Sequence, residues 1–112
     1  MKIFSLLYNK PMNINTINKN TVFKILRENK DKISNCGIKK IGLFGSYVRG
    51  EQKKESDIDF LVEFYKGKKN YRNFIAISEL MEKLFNKKID IVTKESLSPY
   101  IGPYIKKEVE YV

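Results

Sequence analysis

Three short apolar runs, residues 38–44, 57–64 and 88–93, constrain the fold more than any other feature of this chain. Each is rich in Ile, Leu, Val or Phe and too short for a helix, so each is predicted to be a strand. Within the second run, Ile58, Phe60 and Val62 alternate onto one face. Stretches of helical period separate the runs. Val22, Ile25, Leu26 and Ile33 predict a helix over 20–34, capped by Asn20 or Thr21 and ended by Asn35-Cys36-Gly37. Phe74, Ile77, Met81 and Leu84-Phe85 predict an amphipathic helix over 71–85 that lies on the sheet. A last helix is expected over 100–107, followed by a short tail at 109–112. Helices alternating with strands in 112 residues imply one α/β or α+β domain with a modest core. Residues 9–20 are polar and asparagine-rich, so 1–20 read as a leader or loop and 21–112 as the domain.

Composition narrows the chemistry. The chain has no histidine, which removes Ser-His and Cys-His nucleophilic mechanisms and histidine zinc sites. Acid–base work then falls to carboxylates, lysine, tyrosine or metal-bound water. The single cysteine, Cys36, excludes an internal disulfide and fits a reducing compartment. It lies beside Gly37 ahead of an apolar strand, where a spectator is expected. Twenty-two Lys and Arg against 13 Asp and Glu give a charge of +9, which suits anionic partners. That charge is spread along the chain, and no helix-turn-helix with a basic recognition helix is visible, so nucleic acid is permitted without being favoured. No run approaches the roughly 18 apolar residues of a membrane span. The chain reads as cytoplasmic, with no membrane partner.

Three features bear on a site. Gly45-Ser46 directly follows the first apolar run. Glycine lets the backbone approach a ligand, a helical turn after it presents free N–H groups, and the Ser46 hydroxyl can reach a phosphate oxygen. Asp57-Ile58-Asp59 opens the second run. Residues i and i+2 of a strand share a face with Cα atoms roughly 6.5 Å apart, so both carboxylates can converge on a cation. Magnesium takes such oxygen ligands and is commonly shared with substrate phosphates. A solvent-facing strand end carrying two acids is the other reading. Asp90 sits inside Ile89-Asp90-Ile91-Val92. It is either on a solvated face or, if its strand neighbours that of Asp57, the third member of a carboxylate cluster. Two ions about 4 Å apart could then activate a hydroxyl and neutralise a triphosphate. Arg49 has two open readings, a phosphate contact or a surface arginine paired with Glu51 or an aspartate.

Ser46 is followed by ten residues and then Asp57, one residue, Asp59. This resembles the Gly-Ser, ten residues, Asp-X-Asp motif of the polymerase-beta-like nucleotidyltransferase superfamily. The strings Leu43-Phe44-Gly45-Ser46-Tyr47-Val48-Arg49-Gly50-Glu51 and Ser56-Asp57-Ile58-Asp59-Phe60-Leu61-Val62 are similar to its minimal nucleotidyltransferase branch. The resemblance runs through Lys88-Ile89-Asp90-Ile91-Val92 to the end of the chain and covers about residues 21–112. Val48 stands where many members have Ala.

The resemblance implies a small mixed sheet flanked by helices, with ATP and magnesium at its edge. It implies that Asp57 and Asp59 bind two magnesium ions, that Asp90 joins the catalytic metal and helps deprotonate the acceptor, and that Gly45 and Ser46 hold the triphosphate. Minimal nucleotidyltransferases of this kind resemble the antitoxin half of a toxin–antitoxin pair. The expected activity is then transfer of AMP from ATP to a tyrosine of a cognate HEPN-type ribonuclease toxin, since 112 residues leave no room for an acceptor domain. Transfer to RNA or a small molecule, and neutralisation by binding alone, are the alternatives. Tyr100, Ile101 and Tyr104 are read either as core of the last helix or as a partner surface.

Overall fold

A computed structural model describes residues 17–112. The expected character of the leader at 1–16 therefore falls outside the described residues. In chain order the elements are α1 (Lys19–Glu28), α2 (Lys30–Asn35), β1 (Ile38–Phe44), α3 (Ser46–Arg49), β2 (Ile58–Phe64), α4 (Tyr71–Phe85) and β3 (Ile89–Thr93). A short 3-10 turn (Lys94–Ser96), α5 (Gly102–Glu108) and β4 (Glu110–Tyr111) complete the chain. The sheet is mixed, in the order β3-β2-β1-β4. β1 runs antiparallel to β2 and to β4, whereas β2 and β3 are parallel.

The alternation read from the sequence positions the core. Ile58, Phe60 and Val62 are fully buried on one face of β2, opposite Val62's partner Ile41 and Phe60's partner Leu43. A one-residue bulge near Lys39 and Lys40 lets Ile38 and Ile41 turn to that same face although they stand three positions apart. Val22 and Leu26 of α1, Ile33 of α2, and Ile77, Met81 and Phe85 of α4 cover it. The Phe60 and Phe85 rings meet in a tilted pair with centroids 5.8 Å apart. The opposite face carries a smaller cluster of Phe44, Leu61 and Ile105, flanked by Val92, Leu97 and Val109. α5 supplies Ile105 to this second layer.

Several boundaries differ from the sequence reading. The helix predicted over 20–34 is interrupted at Asn29, whose side-chain Nδ2 donates to the Ile25 carbonyl at 2.8 Å. Asparagine side chains compete with the backbone in this way, and two shorter helices result. The N-cap is Asn18 rather than Asn20 or Thr21, its Oδ1 accepting from the Thr21 amide at 3.0 Å. α4 matches its predicted span and is capped by Asn70. α5 begins at Gly102 rather than 100, with Pro103 in its first turn, where a missing N–H costs nothing.

The tail at 109–112 forms a strand. Gly42 and Leu43 of β1 pair with Tyr111 and Glu110. Gly42 permits this approach, because a Cβ there would lie 2.6 Å from Val109 Cγ2 and 2.9 Å from Tyr111 Cδ1. Lys40 Nζ sits 4.4 Å above the Tyr111 ring and adds a cation–π contact. Among the described residues no helix is long and apolar enough to cross a membrane.

Phe60 joins the sheet to α4, so its loss should be felt globally. Phe60→Ala is expected to cost about 3–5 kcal/mol in urea unfolding, with m little changed. A loss under about 1 kcal/mol would contradict this placement of the core.

Candidate active site

The antiparallel register sets Phe44 opposite Asp59, so the chain leaving β1 passes directly over the Asp59 carboxylate. The next residue is Gly45, held at φ 79° and ψ −155° as the N-cap of α3. That backbone favours glycine, and a Cβ at this position would overlap Asp59 Oδ2. Two independent constraints thus require glycine here. Ser46 opens α3, and the Gly45 carbonyl accepts from the Val48 and Arg49 amides at 3.2 and 3.3 Å. The first amides of such a turn have no partner within the helix and are directed outward from its start.

Asp59 lies on the face of β2 opposite Phe60, alongside Leu61 and the α5 layer. Parallel pairing puts Asp90 of β3 beside it in register. Asp57 immediately precedes β2 and shares the Asp59 side of the chain by alternation. Asp90 is exposed, and Asp57 and Asp59 are half-buried. The two sequence-predicted acidic elements therefore converge at one end of the sheet, next to Gly45. They do not form a closed cage. Among the described residues no group of three or more His, Cys, Asp or Glu side chains is gathered tightly enough to hold a metal ion as it stands. Mutual repulsion favours such spreading.

The electrostatics are concentrated on Asp59. Burial, followed by the Asp90 and then the Asp57 charges, pushes its carboxyl from 3.8 up to about 6, while Arg49 opposes the rise. A half-buried acid beside two others, all with oxygen donors, has the chemistry that suits a hard divalent cation.

Arg49 is engaged by carboxylates. Its Nε donates to Glu51 Oε1 at 3.0 Å, as one of the sequence readings has it. Its Nη1 also donates to Glu108 Oε1 at 2.9 Å and Oε2 at 3.2 Å. Glu108 Oε2 in turn accepts from the Gly45 amide at 2.7 Å. Sequence reasoning missed Glu108, which lies 63 residues from Gly45. One local signal was available: an acid in the last turn of a helix opposes the helix dipole and calls for a compensating partner.

Cys36 is half-buried and burial raises its thiol pKa, in keeping with a spectator. Tyr100, Ile101 and Tyr104 are exposed by 86, 55 and 74%, so they are not core. A cleft of about 510 Å³ lined by Lys69, Tyr71, Phe74 and Ile91 lies on the α4 side of β3, away from Asp59 and Asp90.

Comparison with known proteins agrees with this fold. The nucleotidyltransferase domain family matches residues 22–112. A Methanocaldococcus jannaschii protein assigned as a protein adenylyltransferase is 43% identical over 91 residues, covering 78% of this chain and 86% of that one. The protein adenylyltransferase MntA of Thermococcus cleftensis is 43% identical over 76 residues, covering 68% of this chain and 76% of its own. Among solved structures, one described as a minimal nucleotidyltransferase shares the fold with a TM-score of 0.73, at 24% identity over 85% of this chain and 96% of that one. A toxin–antitoxin structure with AMP-PNP gives a TM-score of 0.58 at 26% identity, over 85% of this chain and 72% of that one. The chain belongs to the nucleotidyltransferase domain family. It is a nucleotidyltransferase by that membership.

The raised Asp59 pKa has a consequence for stability. A carboxyl whose folded value exceeds its unfolded value favours the folded state while protonated. That contribution grows as pH falls from about 6 towards 4 and is lost above 6. Without divalent cations, Asp59→Asn should raise stability at pH 8 by about 1 kcal/mol, after allowance for solvent screening. Most of the gain should be gone near pH ~4, where the folded carboxyl is protonated and the unfolded one is about half ionised. Chemical denaturation at the two pH values checks this, and an equal gain at both would refute it.

Proposed function

We propose that the chain is an antitoxin that transfers AMP from ATP to a tyrosine of a cognate HEPN-type ribonuclease toxin, with magnesium as cofactor. The observation that carries this reading is the convergence of Asp57, Asp59 and Asp90 beside Gly45-Ser46 at one end of the sheet. Two similarities support the acceptor class: a relative named as the protein adenylyltransferase MntA, and a related toxin–antitoxin structure with AMP-PNP. The lone cysteine and the ATP donor suit work in the cytoplasm.

In this reading Gly45 lets the triphosphate approach the backbone, and Ser46 offers it a hydroxyl and amide N–H groups. Asp57 and Asp59 would hold magnesium, with Asp90 completing the set. When bound, magnesium supplies charge neutralisation for the triphosphate and lowers the cost of ionising the acceptor hydroxyl. Asp90 receives the tyrosine hydroxyl proton. The phenolic oxygen forms a bond to the α-phosphorus, the bond from that phosphorus to the bridging oxygen breaks, and pyrophosphate leaves. Positioning and charge compensation supply the catalysis, and no histidine is needed. Arg49 is held by Glu51 and Glu108. Its part in this reading is to support the turn and temper the acid cluster.

Incubation with labelled ATP, magnesium and the product of the adjacent gene tests the proposal. The wild type should label that protein on tyrosine, and Asp57→Asn/Asp59→Asn should reduce the rate about a hundredfold or more. No protein labelling, or equal labelling by the double variant, would overturn it. Label in RNA or a small molecule would move the acceptor to that class. Full protection of cells by the double variant would identify neutralisation by binding alone.

A further inference from the structure

We propose that Glu108 is a positioning residue for the triphosphate site, a single carboxylate that clamps both ends of the Gly45–Arg49 turn. This rests on the reading of that turn as the place where a triphosphate binds. α3 spans only Ser46–Arg49. A helix of one turn is unstable by itself, because fixing its backbone costs more than its few hydrogen bonds return. Gly45, which precedes it, has no side chain with which to anchor the loop. Tyr47 and Val48 root the middle of the turn in the core, which leaves its two polar ends to be held from outside.

Glu108 does so from both sides. Its Oε2 accepts from the Gly45 amide at 2.7 Å, at the start of the turn. The same carboxylate accepts from Arg49 Nη1 at 2.9 and 3.2 Å, at the end of the turn. Ser46 lies between these two grips, so its hydroxyl and amide directions follow from them. The carboxylate is mostly enclosed, with its side chain 26% exposed. Hydrogen bonds to a charged group of this kind are among the stronger ones in proteins. The anchor is itself firm, since Ile105 of the same helix packs into the layer with Phe44 and Leu61. Glu51 takes only Arg49 Nε and leaves the Gly45 amide alone. The double grip belongs to Glu108.

Calorimetric binding of a non-hydrolysable ATP analogue with magnesium to the full chain tests this without any transfer reaction. Glu108→Ala should weaken binding about tenfold or more, the expected scale for losing a charged hydrogen bond at the loop. Glu108→Gln keeps an acceptor for the Gly45 amide and should recover most of the affinity. Ile77→Val, which loosens the core on the other face of the sheet without touching the clamp, should leave Kd unchanged. Should the alanine variant not fold, Glu108→Asp is too short to span both partners and should show the same loss.

Unchanged affinity in Glu108→Ala would make the residue a spectator and overturn the proposal. Tighter binding would show that Glu108 competes with the phosphates, and would also overturn it. Failure of Glu108→Gln to recover affinity would overturn the grip on Gly45. A wild type that binds no nucleotide would instead sink the functional reading of the site.

Discussion

The structure turns on the contact between the Asp59 carboxylate and the backbone of Gly45. Strand alternation sends Phe60 into the core and leaves Asp59 on the other face, half-buried and set against Gly45. The same strand pairs with β1 so that the chain must turn directly above this carboxylate. Any side chain at position 45 would collide with it. The acid, the glycine and the turn after it are therefore one unit. A nucleotide held by the turn would lie against Asp59 as a matter of backbone geometry.

A half-buried carboxylate with two acidic neighbours is an electrostatic cost that the fold sustains. Burial first, then the Asp90 and Asp57 charges, hold its pKa up at about 6. Arg49 gives partial relief, and Glu108 and Glu51 occupy its guanidinium. Enzymes commonly concentrate such strain where a charged ligand binds, because the ligand then supplies what the protein lacks. The core that tolerates it is small, and the packing of α4 on β2 provides its main apolar layer.

The end of the chain is as important as its middle. α5 covers part of the sheet face that carries Asp59, Glu108 reaches back to the Gly45 turn, and β4 extends the sheet beyond β1. These contacts bind the end of the chain to the site, and the Glu108 charge adds to those that raise the Asp59 pKa. Tyr100, Ile101 and Tyr104 remain exposed at the approach to and on α5, on the segment that also ends in Glu108.

Much of this was legible from local pattern. β1, β2, β3 and α4 follow from short apolar runs and helical spacing, and Gly45, Ser46, Asp57 and Asp59 follow from a motif confined to fifteen residues. Such signals are local, so no knowledge of distant contacts is needed to read them. Asp90 was legible as an acid within a strand, but its meaning waited on the parallel pairing that sets it beside Asp59. The break at Asn29, the β4 strand, the pairing of Arg49 with Glu108 and the double grip of Glu108 depend on side-chain competition or on contacts across the fold. The sequence by itself determined most of the elements and the chemistry available to them. Only the tertiary structure decided which acids meet and what holds the turn, because strand order and helix docking are set by non-local burial.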